Sequence, residues 1–484
     1  MKQLTALTVL LRLLVCSSFA SCLASSANQQ QQHNDDLPLL LTPYIENGKI
    51  SEGRNLSEVT AIPGLDLSQH LKSYSGYLTI NTTTNANTFF WFFPAKNGQT
   101  KDVPLILWLN GGPGASGFSA VFLENGPLEL VLSADKKSVV PRLHEHSWNE
   151  QFAVLYIDNP VGTGFSFTDQ EGGYATDETR VGIDIYNALR QFLVLFSEYR
   201  GTPLFVAGVS YGGKYVPAVG HHIHLLSAEQ TKEDGVNLQG LSIGNGLCDP
   251  RNQLNYGDFL WKLGLLDRRQ RDHFQTVQSE ARSLIDQRQT VKALELVNEL
   301  FLGISTDGKP PKPSYFTNVT GLRWVYNLNV EEMPVEYLFP YAYVRENSTR
   351  RALHAGTGTA FTEGSPAVIG HLLADIYSSV RPWIEELLAA GRYRMLFYNG
   401  NLDIIVAATL TEDFLNGLQW GSSGNRSFYA AERKVWKVAP SDRSVAGYVK
   451  TLDNLTFAVV RNSGHVVSRD QPRVAADLIT RFIK

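Results

Sequence analysis

The stretch from Pro203 to Val219 reads PLFVAGVSYGGKYVPAV. It begins apolar and β-prone at Leu204, Phe205 and Val206, turns at Gly208, presents Ser210, turns again at Gly212 and Gly213, and then becomes compatible with helix. The stretch therefore reads as strand, sharp turn, helix. Residues Gly208 to Gly212 fit G-x-S-x-G, a pattern in which a serine is raised on the turn as a nucleophile. Glycine is required on either side because a Cβ two residues from the serine would clash in so tight a bend.

The chain has 484 residues, 43% hydrophobic and 19% charged, as expected of a globular protein with a large core. Length suggests two or three domains, or equally one large sheet with insertions. A formal net charge of −4 argues against a nucleic-acid partner. Lys2, the apolar run from Leu7 to Val15 and small residues ending at Ala20 or Ala24 form a signal-peptide pattern, which Arg12 interrupts; a signal anchor is the alternative. No apolar span long enough for a membrane follows, so none is expected in the mature chain. N-x-[ST] sequons begin at Asn55, Asn81, Asn318, Asn347, Asn425 and Asn454, in keeping with a glycosylated secretory protein. The cysteines are Cys16, Cys22 and Cys248. Cleavage after Ala24 leaves Cys248 alone as a buried thiol, whereas cleavage after Ala20 makes a Cys22–Cys248 bridge conceivable.

Residues 1–24 are thus read as the signal and 25–72 as a mature N-terminal extension, its first part (25–41, with the glutamine run Gln29 to Gln32) disordered or loosely docked. SYSGYLTI from Ser73 and TFFWFFPA from Thr88 read as a hairpin-like pair. VPLILWL, ending at Leu109, and FAVLYID, from Phe152, are continuous apolar runs of the kind found in mixed or parallel sheets covered on both faces. Asp177 to Tyr199 has apolar residues at helical spacing behind an N-cap. Between 249 and 346 the composition changes to Arg, Gln and Leu-rich helix, read as an inserted cap. RMLFYN at Arg394 and LTFAVVR at Leu455 resume the sheet, and Ala475 to Ile483 closes with a helix. The expectation is an α/β-hydrolase fold: a mixed, mostly parallel central sheet from 73–248 and 347–484, with a helical cap inserted at 249–346.

A serine nucleophile needs a base and a group that orients the base. In this architecture the chain order is Ser, Asp, His. After Ser210, Asp403 follows a strand directly into a loop, and His465 follows the last strand; both sit where α/β sheets collect active-site groups. The oxyanion requires two N–H donors. The residue after the nucleophile, Tyr211, supplies one, and the loop Asn110-Gly111-Gly112-Pro113-Gly114 is placed to supply the other.

WLNGGPG (Trp108 to Gly114), DNPVGTGFS (Asp158 to Ser166), SYGGKYVP (Ser210 to Pro217), IGNG (Ile243 to Gly246), YNGNLDIIV (Tyr398 to Val406) and SGHVV (Ser463 to Val467) resemble the serine carboxypeptidase family. LCDP followed by GLLD is similar to its vitellogenic-carboxypeptidase-like branch. The resemblance runs from about Tyr74 to the C-terminus. It implies a secreted or lysosomal enzyme that removes C-terminal residues from peptides and protein C-termini, without metal or organic cofactor; oligomeric state stays open. It assigns Ser210 as nucleophile, Asp403 as orienting acid, His465 as base, Gly112 and Tyr211 as oxyanion donors. Asn110 and Glu124, with Trp108 of the same motif, fall to substrate binding, the first two at the terminal carboxylate.

One family position departs. Where the family has Glu immediately before the nucleophile, this chain has Val209. Two carboxyl groups in contact push one pKa up and keep one proton available for donation; Val209 cannot donate. With Glu124 ionised and unpaired, a substrate carboxylate would be repelled. The family's P-G-C-S is also changed, to Pro113-Gly114-Ala115-Ser116, which removes a usual disulfide partner. Three readings follow: a serine carboxypeptidase with weakened carboxylate recognition, a serine hydrolase or acyltransferase of shifted substrate, and a non-catalytic secreted binding or storage protein.

Overall fold

The structure is a computed structural model that describes residues 35–97, 103–303, 312–421 and 427–484. Its frame is a ten-stranded sheet. In chain order the strands are β1 (Tyr74–Asn81), β2 (Ala86–Phe93), β3 (Leu105–Leu109), β4 (Ala153–Ile157), β5 (Leu204–Val209), β6 (Leu238–Gly244), β7 (Arg394–Gly400), β8 (Arg433–Trp436), β9 (Gly447–Leu452) and β10 (Leu455–Val460). Across the sheet they run β8-β9-β10-β7-β6-β5-β3-β4-β2-β1. The central strands β4, β3, β5, β6, β7 and β10 are parallel. Both margins are antiparallel. Every residue of β3, β4 and β5 is buried, which is why these strands read as unbroken apolar runs.

Because side chains alternate across a strand, the sheet feeds two separate cores. Leu105, Leu107 and Leu109 of β3 and Val206 of β5 pack on one face with Val181, Ile185 and Leu189 of α2 (Glu178–Leu195) and Val216 and Val219 of α3 (Gly212–Leu225). Ile106, Trp108, Phe205 and Ala207 point to the other face. They meet Phe118 and Val121 of α1 (Gly117–Leu123) and Leu478, Ile479 and Phe482 of α5 (Pro472–Ile483). Asp177 caps α2 as its sequence implies, its carboxylate accepting from the Arg180 N–H at 2.8 Å. After β3 the chain builds outward to β4 and then returns to the opposite side as β5, so the order reverses between β3 and β5. In open α/β sheets the carboxyl ends of strands at such a reversal form a crevice.

Among the described residues, no strand of this sheet lies between Gly244 and Arg394. That interval is helical and includes α4 (Arg268–Asp286). Asp267 and Gln270 close its first turn as a reciprocal capping box, each side chain bonding the other's backbone N–H at 2.8 Å.

The loosely docked start expected for residues 25–41 is corrected where the structure describes it. Leu39 N–H donates to the His354 carbonyl at 3.0 Å and Leu41 N–H to that of Tyr77 at 2.9 Å. Asp36 pairs with Arg351 at 2.7 Å. The polar composition upstream hid a short apolar run in which Leu41 is fully buried. Helices Thr42–Glu46 and Ile50–Leu56 follow at once. The signal, the glutamine run, Cys16 and Cys22 lie outside the described residues. Strands β8 and β9 and a separate hairpin of Leu128–Leu132 with Val139–Leu143 add to the elements expected from the sequence. β8 is mostly exposed and β9 half-buried, so neither shows an apolar run. If the N-terminal run is part of the core, Leu41→Ala lowers stability by about 2–5 kcal/mol; chemical denaturation measures this, and a change below about 0.5 kcal/mol contradicts it.

Candidate active site

Ser210 sits between the end of β5 and the start of α3 with φ +61°. A non-glycine residue adopts this left-handed conformation at a cost of about 1–2 kcal/mol and keeps it only when neighbours enforce it. Three hydrogen bonds do so. Ser210 N–H donates to the Gly244 carbonyl at 3.0 Å, and the Ser210 carbonyl accepts from Gly213 N–H at 2.9 Å and Leu247 N–H at 3.0 Å. The flanking loops press in closely. A Cβ on Gly208 would stand 2.5 Å from the Leu109 carbonyl oxygen, and one on Gly111 2.6 Å from Ser210 Cβ. Cys248 packs beneath the turn as a buried free thiol, its Sγ–H donating to the Gly213 carbonyl at 3.1 Å.

The loop after β7 carries Asp403, whose carboxylate is fully enclosed. Oδ1 accepts from the Ile405 N–H at 3.0 Å and the Val406 N–H at 3.2 Å. Oδ2 accepts from Asn245 Nδ2 at 2.6 Å and His465 Nδ1 at 2.8 Å. A carboxylate only accepts, so Nδ1 carries the imidazole proton and Nε2 of the neutral ring is left as a base. Nε2 is buried and has no hydrogen-bond partner, Ser210 Oγ included, though Ser210 and His465 line one cavity. Catalytic hydrogen bonds often close only once substrate is bound. Tyr326 braces His465 from the helical interval: its ring lies 4.4 Å from that of His465, and its carbonyl accepts the His465 backbone N–H at 2.6 Å.

The cavity has a volume of about 980 Å³. Asn110, Gly111, Gly112, Val209, Ser210 and His465 line its catalytic end; Trp324, Tyr337, Phe339 and Tyr341 give it aromatic walls. Tyr211 turns its side chain into the core against Tyr215, leaving its backbone at the turn. The structure places Trp108 outside the cavity, buried on β3 with its ring edge-on to Trp148 at 5.3 Å. It supports the strand that ends at Asn110 and touches no space a substrate could fill.

Two buried acids, Glu124 and Glu363, face this cavity, and an exposed third, Glu346, also lines it. Burial, reinforced by the nearby Glu363, pushes Glu124 up to about 8. Glu363 is likewise pushed up to about 8 by burial, against hydrogen bonds from Ser119 and Ser116. The Ser116 N–H reaches its Oε1 at 3.1 Å and the Ser119 hydroxyl its Oε2 at 2.7 Å. The expectation of an ionised, unpaired Glu124 is thereby corrected: below about pH 8 it is a neutral acid and a hydrogen-bond donor. Asn245, Tyr326 and Glu363 were not singled out as site residues from the sequence. Only Asn245, within the IGNG motif, carried a signal there.

With this geometry in view, the likenesses to known proteins are specific. Residues 63–484 match the serine carboxypeptidase family. The chain belongs to the serine carboxypeptidase family. It is 45% identical to a venom serine carboxypeptidase of Apis mellifera over 458 residues, covering 93% of this chain and 92% of that protein. It is 42% identical to the probable serine carboxypeptidase CPVL of Homo sapiens over 469 residues, 97% and 94% of the two chains. It is 39% identical to a vitellogenic carboxypeptidase of Aedes aegypti, over 96% and 93%. Among solved structures, a prohormone-processing carboxypeptidase from Saccharomyces cerevisiae superposes with a TM-score of 0.72 at 23% identity, covering 89% of this chain and 94% of that one, which shows a common fold. The protein is therefore a serine-type carboxypeptidase of α/β-hydrolase fold, a hydrolase whose substrate class is peptides.

The sequons differ in availability. Asn55, Asn318 and Asn347 are exposed and Asn81 partly so. Asn454 spends its amide nitrogen on the carbonyls of Leu388 at 3.1 Å and Tyr393 at 2.8 Å, so a glycan there, replacing one N–H, would cost at least one of these bonds. Asn425 lies outside the described residues. Among the described residues no helix is long and apolar enough to cross a membrane.

Behind Ser210, Glu178 is fully buried and neither of its oxygens has a hydrogen-bond partner. Burial pushes it up to about 8, opposed by Lys214, which is itself buried and paired with Asp375 at 2.7 Å. The folded protein keeps this proton between about 4.5 and 8 while the unfolded chain has lost it, so stability falls as pH rises across that window. Glu178→Gln is expected to reduce that slope by about 1 kcal/mol per pH unit. Thermal melts from pH 5 to 8 measure it; an unchanged slope places the proton elsewhere.

Proposed function

We propose that the enzyme releases C-terminal residues from peptides through an acyl-enzyme on Ser210. His465 Nε2 takes the serine proton as Oγ attacks the scissile carbonyl. Asp403 fixes the ring's tautomer and stabilises the imidazolium that forms. The backbone N–H groups of Gly112 and Tyr211 stabilise the oxyanion. His465 returns the proton to the departing amine, and water then cleaves the acyl-enzyme by the same route. The observation that carries this reading is the 2.8 Å bond from His465 Nδ1 to an otherwise fully satisfied Asp403, with Nε2 left unpartnered.

Recognition of the free C-terminus falls to Asn110 and Glu124 in this proposal. Asn110 Nδ2 donates one proton to the Ser116 carbonyl at 2.9 Å and keeps a second for substrate. Glu124 donates while protonated. Val209 is apolar, 5% exposed, and lines the cavity, so position 209 contributes no donor and the grip on a carboxylate from that side is weakened. Residues 249–346 act as a cap over the core formed by 73–248 and 347–484. The leader pattern and the exposed sequons favour a secretory route, to the exterior or a lysosome.

A fluorophosphonate should label Ser210 in the folded enzyme, with mass spectrometry locating the adduct. Asp403→Asn should lower kcat by about 10⁴-fold, because the ring is then held in the wrong tautomer; a loss below tenfold removes Asp403 from the mechanism. Since Glu124 and Glu363 are both protonated below about 8, KM for a blocked dipeptide acid should rise as pH passes upward through that value. The KM of the matching dipeptide amide should not follow it. Parallel rises for acid and amide would show that these carboxyl groups do not meet the substrate's terminus.

A further inference from the structure

A peptide with a free C-terminus brings its carboxylate about one residue, ~4 Å, beyond the carbonyl that Ser210 attacks. That anion must be met by donors at the catalytic end of the cavity. The cationic side chains that line the cavity, Lys136, Lys137 and Arg345, are exposed at its mouth, where water screens them. The inner lining offers neutral groups instead, and Val209 is unable to donate.

Glu363 occupies a built position there. The Ser116 carbonyl accepts from Asn110, and the N–H of the same residue donates to Glu363 Oε1 at 3.1 Å, so Asn110 and Glu363 are fixed to one another through a single residue. The loop carrying Glu363 is pinned on both sides. Thr362 and Gly164 exchange backbone hydrogen bonds, and Gly364 N–H donates to the Gly114 carbonyl at 2.8 Å. With Oε1 accepting from a backbone N–H, the carboxyl proton belongs on Oε2. That oxygen accepts from Ser119 Oγ at 2.7 Å and still has its own O–H to direct into the cavity.

We infer that Glu363 donates this O–H to the terminal carboxylate of the substrate, supplying from a distant loop the second acidic contact that Val209 fails to provide. The inference rests on the reading above that Ser210 opens the C-terminal peptide bond. A charge-assisted hydrogen bond of this kind distinguishes a free acid from an amide. Burial keeps protons on both acids, with Glu363 adding to the rise at Glu124 and Asp158 to that at Glu363, consistent with paired donors facing one anion.

The test compares kcat/KM for a blocked dipeptide acid and its C-terminal amide in the full-length enzyme and its variants. Glu363→Leu removes the donor, and the acid-to-amide ratio should fall about 10- to 100-fold, the range for losing a hydrogen bond to a charged group. Glu363→Gln keeps a neutral donor at the same place and should hold the ratio within about threefold of wild type. Adding Val209→Glu to Glu363→Leu should restore at least tenfold of the lost ratio. An equal loss on acid and amide in Glu363→Leu, or an unchanged ratio, overturns the assignment, as does a Gln variant no better than Leu. Fluorophosphonate labelling separates the layers: a wild type that does not label overturns the catalytic reading and this one with it. A labelled Glu363→Leu with an unaltered ratio overturns this one alone.

Discussion

The Asp403 carboxylate is the point at which three strand ends become one site. It gathers donors from Asn245 after β6, from its own loop after β7, and from His465 after β10. An anion so enclosed costs several kcal/mol unless its lone pairs are occupied, and here each oxygen accepts two hydrogen bonds. Asn245 is held in turn at φ +43°, with its N–H on the Tyr398 carbonyl at 2.7 Å. The His465 ring therefore has its orientation from backbone at the ends of the sheet strands.

What sequence could and could not reveal follows from the range of the interactions. The nucleophile turn is local: an apolar strand, spaced glycines and a helix start occupy a few residues. Asp403 and His465 were legible for the same reason, each lying immediately beyond an apolar strand. Asn245 and Asp403 are 158 positions apart, and Ser116 and Glu363 are 247 apart; no local pattern announces such pairs. Glu363 stands in a polar loop, and only the folded loop brings it to the wall that Val209 leaves apolar. Trp108 shows the converse. It shares a motif with Asn110 and Gly112, but strand alternation sends its ring into the core.

Glu124, Glu178 and Glu363 share one physical state, and burial is the main cause in each. None is beside a cation close enough to offset its desolvation, so each keeps its proton across the acid and neutral range. In the cavity that state makes a wall of acids into a wall of donors. Behind the nucleophile it lets Glu178 fill space next to Tyr211 and Lys214 without placing another full charge beneath the catalytic turn.

The bracing of residues 36–41 reaches a segment far along the chain. Asp36 and Leu39 are tied to Arg351, Thr357 and His354, a few positions upstream of the loop that bears Glu363. Removal of residues 36–39 would strip those ties from Arg351, His354 and Thr357. That segment thus depends for its fixing on side chains laid down more than three hundred positions earlier.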